Sequence, residues 1–313
     1  MSRKLRFSWG QHTIVVTKRP KKDHGSPPAS AETKGLTPDQ KALLWKQQDN
    51  IARRHEAAFG EAAVQAFEQD KRDILALVSI AKGKSKARKA TLDYGELLDL
   101  ILKYLAGESL DTWRKTFQPV IEALIEQQGE MLNAAFGMQF DIENVFATES
   151  FRDYLIKFAQ QIAQTTNDDI TAMLGQAMHE GWSIPKMQTA LETMFEKYMN
   201  GGDLTDEERA WFETRMPDYR RENIARTETI RSSNLGSTEI YKGWGAWGSE
   251  WLATMDDRVR DTHAEANGQI RPFGAPFEVG GEKLLYPGDP NGSAGNVCSC
   301  RCTTVPILEP PQS

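Results

Sequence analysis

The 313-residue sequence contains no run of about 18 apolar residues, which excludes a membrane-spanning helix. Its opening, Met1 to Gln11, alternates basic and aromatic residues and lacks the apolar stretch of a secretory signal, so no such leader is expected. Cysteine is scarce: Cys298, Cys300 and Cys302 are all there is, within five residues. A disulfide scaffold needs cysteines spread along the chain, so that class is excluded as well. G-x-x-x-x-G-K-[ST] does not occur, which removes the P-loop class of phosphate binding, and there is no H-E-x-x-H zinc helix. His12, His24, His55 and His179 are scattered without evident partners. No fixed-period repeat is found.

Length suggests two domains at roughly 150 residues each. Charge is unevenly placed. The net charge is −6, yet residues 1–30 hold Arg3, Lys4, Arg6, Lys18, Arg19, Lys21 and Lys22 against Asp23 alone. That segment carries +6 and leaves −12 for the remainder. A basic arm on an acidic body suits contact with nucleic acid or an acidic partner, and it also fits a solvated terminus.

The patterning predicts a mainly α protein with a C-terminal α+β module. Residues 1–35 read as a flexible basic arm with a linker at Gly25–Ser30. A short strand at Thr13–Thr17 has no evident partner. Residues 36–203 read as a helical domain. Thr37, Pro38 and Gln40 form a helix-start signature, with apolar positions recurring from Leu44 to Val78. Lys82–Lys89 then reads as a basic loop. Further helices are expected at Leu92–Ala106, Asp111–Met138, Glu149–Gln164, Asn167–Glu180 and Ser183–Met199, with Ser183 as an N-cap and a stop at Asn200–Asp203. Residues 204–313 form the third part. A short helix starts at Thr205, and a longer one follows Pro217 through Tyr241, with only a thin apolar stripe to pack on the region after it. Residues 241–313 then hold ten of the 24 glycines and three of the eight tryptophans. They read as a small Gly/Trp-rich mixed module: a strand at Glu250–Met255, a helix at Asp257–Ala266 ended by Asn267-Gly268, short strands around Phe273, Phe277 and Val279 with turns at Gly274 and Gly280-Gly281, and a final strand at Cys300–Ile307.

Three constellations carry candidate chemistry. On an extended strand Cys298, Cys300 and Cys302 share one face, so their thiolates with His263 could hold zinc. The same residues also fit a buried core strand, and a disulfide between cysteines two apart would be strained. Asp257, Arg258, Arg260, Asp261 and His263 form a second cluster. It fits either a general base with an orienting carboxylate or a polar network completed by Arg301. Arg226 and Glu228 form the third, on a helix expected to pack; a buried Glu228 needs a partner from the second cluster, and a surface Glu228 would have Arg231 or Arg221 nearby.

The ordered set Ala225-Arg226-Thr227-Glu228, Trp251 through Arg260, His263, Gly268, Phe277, Leu285, Pro287-Gly288-Asp289-Pro290 and Cys300-Arg301-Cys302 resembles the phage Mu F-like minor head protein family. The resemblance covers residues 150–308 and is most specific over 220–305. It implies a bacteriophage head morphogenesis protein of the virion, portal-associated, present in few copies in the capsid interior and assembled in the host cytoplasm. It also implies action in capsid assembly or in DNA packaging and delivery. The implied partners are the portal protein, the major capsid or scaffold protein and packaged DNA, with no membrane. No settled enzymatic activity comes with the family; Asp257, Arg258, Arg260, His263, Cys300 and Cys302 would mark a metal site or a polar core. Here Ser299 stands where the family commonly has Asn, and Cys298 is additional. The rival class is an enzyme: a metal-dependent hydrolase or nuclease, or a nucleotide transferase, using the Asp/Arg/His/Cys cluster.

Overall fold

The computed structural model describes residues 4–9, 12–17, 36–88, 93–138, 140–200, 220–254 and 259–311. It is mainly helical, with a small antiparallel sheet region near the C-terminus, as the patterning predicts. The linker, the Thr205 and Pro217 helix starts and the 203/204 boundary lie outside the described residues.

Near the N-terminus, β1 (Lys4–Trp9) pairs antiparallel with β2 (His12–Thr17), Lys4 opposite Thr17 and Trp9 opposite His12. The expected strand therefore has a partner after all. Its signal is in the sequence: Leu5, Phe7 and Trp9 alternate with Lys4, Arg6 and Ser8, the period of a strand.

Helix α1 (Pro38–Arg88) starts at the predicted capping box. The Gln40 N–H donates to Thr37 Oγ1 at 3.3 Å and the Thr37 N–H to Gln40 Oε1 at 2.9 Å. The helix continues through residues 82–88 of the expected basic loop, and Lys89 lies outside the described residues. Lys, Ala and Arg are good helix formers, a single Gly83 costs only about 1 kcal/mol, and Lys84 pairs with Glu96 at 3.1 Å. Helix α2 (Tyr94–Leu105) is capped by Asp93. Helix α3 (Glu108–Phe136) stops before Met138 because Gly137 takes φ +68°, a left-handed C-terminal cap. Helix α4 (Ile142–Phe146) had no sequence expectation. Helix α5 (Glu149–Glu180) is one helix where two were expected. Thr165 and Thr166 there donate their hydroxyls back to Gln161 O and Ile162 O, which satisfies them within the helix. Helix α6 (Ile184–Asn200) begins at Ser183, whose Oγ accepts the Lys186 N–H.

The contacts group the chain into two compact units. One comprises Glu56–Val120 and Arg152–Ala225. Its core is an aromatic cluster built on Phe67, Trp113, Phe117, Phe158, Phe195 and Tyr198, with edge and tilted contacts such as Phe67–Trp113 at 4.8 Å. Two polar groups are set into it. Asp70 is fully buried and accepts from Tyr104 Oη at 2.8 Å and Trp113 Nε1 at 2.9 Å. Arg220 lies 4.3 Å over the Tyr198 ring and donates to Thr166 Oγ1 and Ile162 O.

The other unit comprises Met1–His55, Ile121–Phe151 and Arg226–Ser313. It contains most of α7 (Arg220–Trp244) and the C-terminal module. In the module, β3 (Gly248–Leu252) is the centre of a three-stranded antiparallel sheet. It is flanked by β4 (Ile270–Pro272) and β7 (Thr303–Ile307). A hairpin of β5 (Phe277–Val279) and β6 (Glu282–Leu284) turns at Gly280-Gly281, both with positive φ, as the glycine pair predicts. Two short helices, α8 (Asp261–Ala266) and α9 (Ala294–Val297), complete it.

Burial pushes the Asp70 carboxyl above its ordinary value. The folded chain therefore holds that proton more tightly than the unfolded chain does. The Asp70 contribution is full below the unfolded pKa of about 3.9 and declines as pH rises through the folded value. Asp70→Ala removes the Trp113 acceptor and should cost on the order of 3 kcal/mol. Thermal melts of both proteins across acidic to neutral pH should show a loss that is largest at low pH.

Candidate functional site

The site is built on α7. Its residues from Thr227 to Tyr241 are buried without a break, although Thr227, Glu228, Arg231, Ser232, Ser233, Asn234, Ser237 and Glu239 are polar. The thin apolar stripe read from sequence understated this packing, because burial here rests on polar partners. Asn234 Nδ2 donates to Ile230 O and to Cys302 O at 3.0 Å, and Thr303 Oγ1 donates to Asn234 Oδ1. Tyr241 Oη donates to Thr304 O at 3.1 Å, and Gln128 Nε2 donates to Ser237 Oγ. At Gly236 a Cβ would come within 2.8 Å of Ile125 Cγ1, so only glycine admits this approach. The helix thus packs on the region after it, as expected.

Glu228 is buried and paired with Arg231 at 2.6 Å, one helical turn on. Arg231 Nε also donates to Gly288 O at 2.6 Å, seating the Pro287-Gly288-Asp289-Pro290 loop on the helix. Gly288 takes φ +84° there. Of the other candidates for a structural polar cluster, Arg226, Asp257, Arg258, Arg260 and Arg301, Arg226 is exposed and Asp257 and Arg258 lie outside the described residues. Arg260 Nη2 donates to Cys298 O at 2.6 Å, and Arg301 O accepts from Trp45 Nε1.

The cysteines do not sit on the final strand, because β7 begins only at Thr303. Cys298 caps α9, and Ser299 then takes φ +51°, held by a hydrogen bond from its N–H to Thr227 Oγ1 at 3.0 Å. The Cys300 N–H reaches back to Val297 O at 3.4 Å. This turn, rather than strand alternation, carries Cys300 and Cys302 inward. They enter a core with Trp251, Phe277, Val279 and Leu284. Cys298 stays half-buried and outside the group.

His263 comes from the last turn of α8, which ends at Asn267 and Gly268 (φ +81°) as the sequence indicates. Its ring is buried beside Trp251, centroids 5.9 Å apart. Nδ1 lies 3.3 Å from Cys302 Sγ and 3.6 Å from Cys300 Sγ. The three donor atoms are all within 4.8 Å of one another. The Cys302 N–H points at Cys300 Sγ at 3.4 Å. Hydrogen bonds from the Cys300 thiol and from His263 push the Cys302 thiol well below its ordinary pKa, while Cys300, donating and buried, is pushed up. Nε2 of His263 is buried with no hydrogen-bond partner. Such a group can bind a soft metal or hold a thiolate beside an imidazole.

Residues 168–305 match the family model of phage Mu protein F like proteins. Over that span, less than half of its length, the chain is similar to phage Mu F-like proteins. The family suggests a phage head morphogenesis protein, and other head components as its partners. Over 90 residues the chain is 31% identical to the NAD(+)–arginine ADP-ribosyltransferase EFV of Enterococcus faecalis. That match covers 28% of this chain and 18% of the transferase, so the chain spans under a fifth of that protein. No solved structure matches. Among the described residues no helix is long and apolar enough to cross a membrane.

Arg231→Ala removes the cation opposite buried Glu228 and a donor to Gly288 O. A loss of roughly 3–5 kcal/mol is expected, read as a lower urea midpoint. Adding Glu228→Gln should return part of it, because the two charges are coupled.

Proposed function

We propose that this chain is a Mu F-like minor head protein of the capsid interior. In this reading it contacts the portal and the major capsid or scaffold protein during assembly, and acts in DNA packaging or delivery. The observation that carries the reading is the family match over residues 168–305, within which the motifs from Trp251 to Cys302 fall in order. Of the three parts, arm 1–35, helical part 36–203 and module 204–313, the arm is the one suited to DNA. It holds Arg3, Lys4, Arg6, Lys18, Arg19, Lys21 and Lys22; Lys4 and Arg6 lie on β1 and the other five lie outside the described residues.

Mass spectrometry of purified proheads and virions should detect the chain at a few copies per particle, co-purifying with the portal. Particles without it would refute the reading. Deleting residues 1–24 should weaken DNA binding and flatten its dependence on salt, since each lost phosphate contact removes about one unit of slope. Unchanged binding would return the arm to a solvated terminus.

A second reading is an enzyme, either a metal-dependent hydrolase or nuclease or a nucleotide transferase. Two observations favour it: the Cys302–His263 pair, and the partial identity to a protein named as an NAD(+)–arginine ADP-ribosyltransferase. The burial of both side chains speaks against substrate access. Transfer of label from NAD+ to arginine substrates by the full chain, abolished in His263→Ala, would favour it over a purely structural role.

A further inference from the structure

We propose that His263, Cys300 and Cys302 form a zinc site that fastens α8 to the segment leading into β7. The geometry points there first. With Zn–N near 2.0 Å and Zn–S near 2.3 Å, a tetrahedral site has a nitrogen-to-sulfur edge of about 3.5 Å. The two such edges here measure 3.3 and 3.6 Å. Both are set by one nitrogen, Nδ1, aimed between two sulfurs.

The second argument is polar accounting. A buried histidine kept for packing normally finds an oxygen or nitrogen partner on each side of the ring. Here Nδ1 meets only sulfur, which is a weak acceptor and a weak donor, and Nε2 meets nothing. A metal on Nδ1 supplies a strong bond in place of weak hydrogen bonds to sulfur. The ring proton then sits on Nε2.

Third, the surroundings suit thiolate ligands. The Cys302 N–H is directed at Cys300 Sγ at 3.4 Å, the kind of backbone contact that steadies a metal-bound sulfur. The two thiols are free and stand two residues apart, a spacing that disfavours a disulfide between them. All three ligands are closed off from solvent, which fits a fastening role. They come from segments separated by 37 residues, so the bond ties a short helix with few turns of its own to the end of the chain. Cys298, half-buried beyond the Ser299 turn, is no part of the site. Among the described residues, the His, Cys, Asp and Glu side chains supply three corners and no fourth.

Elemental analysis of the full-length protein, purified without chelator, should find about one zinc per chain. Cys298→Ser should keep it, and Cys300→Ser with Cys302→Ser should lose it. Because these positions are in the core, the native sequence provides an independent measurement. Chelator-stripped protein titrated with cobalt(II) should develop the strong visible bands of a tetrahedral ion and a near-ultraviolet sulfur-to-cobalt charge transfer. A folded, zinc-free protein without that spectrum overturns the proposal. So does zinc retained by the double-serine variant, or zinc lost with Cys298→Ser.

Discussion

Helix α7 is buried along fifteen consecutive residues, Thr227 to Tyr241, while carrying a sequence of Ser, Thr, Asn, Glu and Arg. A polar side chain removed from water without a partner loses on the order of 1–3 kcal/mol. The neighbours of this helix are therefore arranged to donate to it and accept from it. Gln128, Gln48, Thr303, the carbonyls of Cys302 and Thr304, and the Gly288 loop all meet it. The small residues have a second use, shown by Gly236: they let a neighbouring helix approach to where a Cβ would clash.

The His/Cys site depends on the same constraint. Thr227 of α7 holds the Ser299 N–H, and with it the left-handed turn that aims Cys300 and Cys302 into the core. Asn234 of α7 holds the Cys302 carbonyl from the other side. The sulfurs are positioned by a helix some seventy residues earlier in the chain, and His263 meets them from a third segment. A site assembled this way keeps its geometry only while the polar helix stays satisfied. The Glu228–Arg231 pair, on the same helix, thus bears on the site.

Much of the chain was readable locally. The Thr37 capping box, the Ser183 cap, the Asn267-Gly268 helix end and the Gly280-Gly281 turn depend on residues at most three or four apart, and each was legible. The misreadings share one cause. Residues 82–88 and the polar stretch around Thr165-Thr166 look like breaks, yet each continues as helix: Lys84 pairs with Glu96, and the two threonine hydroxyls bond back to the preceding turn. β1 is marked in the sequence only by a period-two alternation, and its pairing with β2 is what makes it a strand. The candidate site was half legible. His263, Cys300 and Cys302 were singled out by residue type, but strand alternation wrongly grouped Cys298 with them.

By itself the sequence determined the fold class, the helix caps, the glycine turns and the ordered residues that resemble the Mu F-like family, because these are properties of short segments. Only the tertiary structure decided that a polar helix is a core element, that Glu228 pairs with Arg231, and that Ser299 turns two cysteines, not three, toward His263. Those outcomes depend on which distant groups satisfy a buried donor or acceptor, and spacing along the chain does not carry that information.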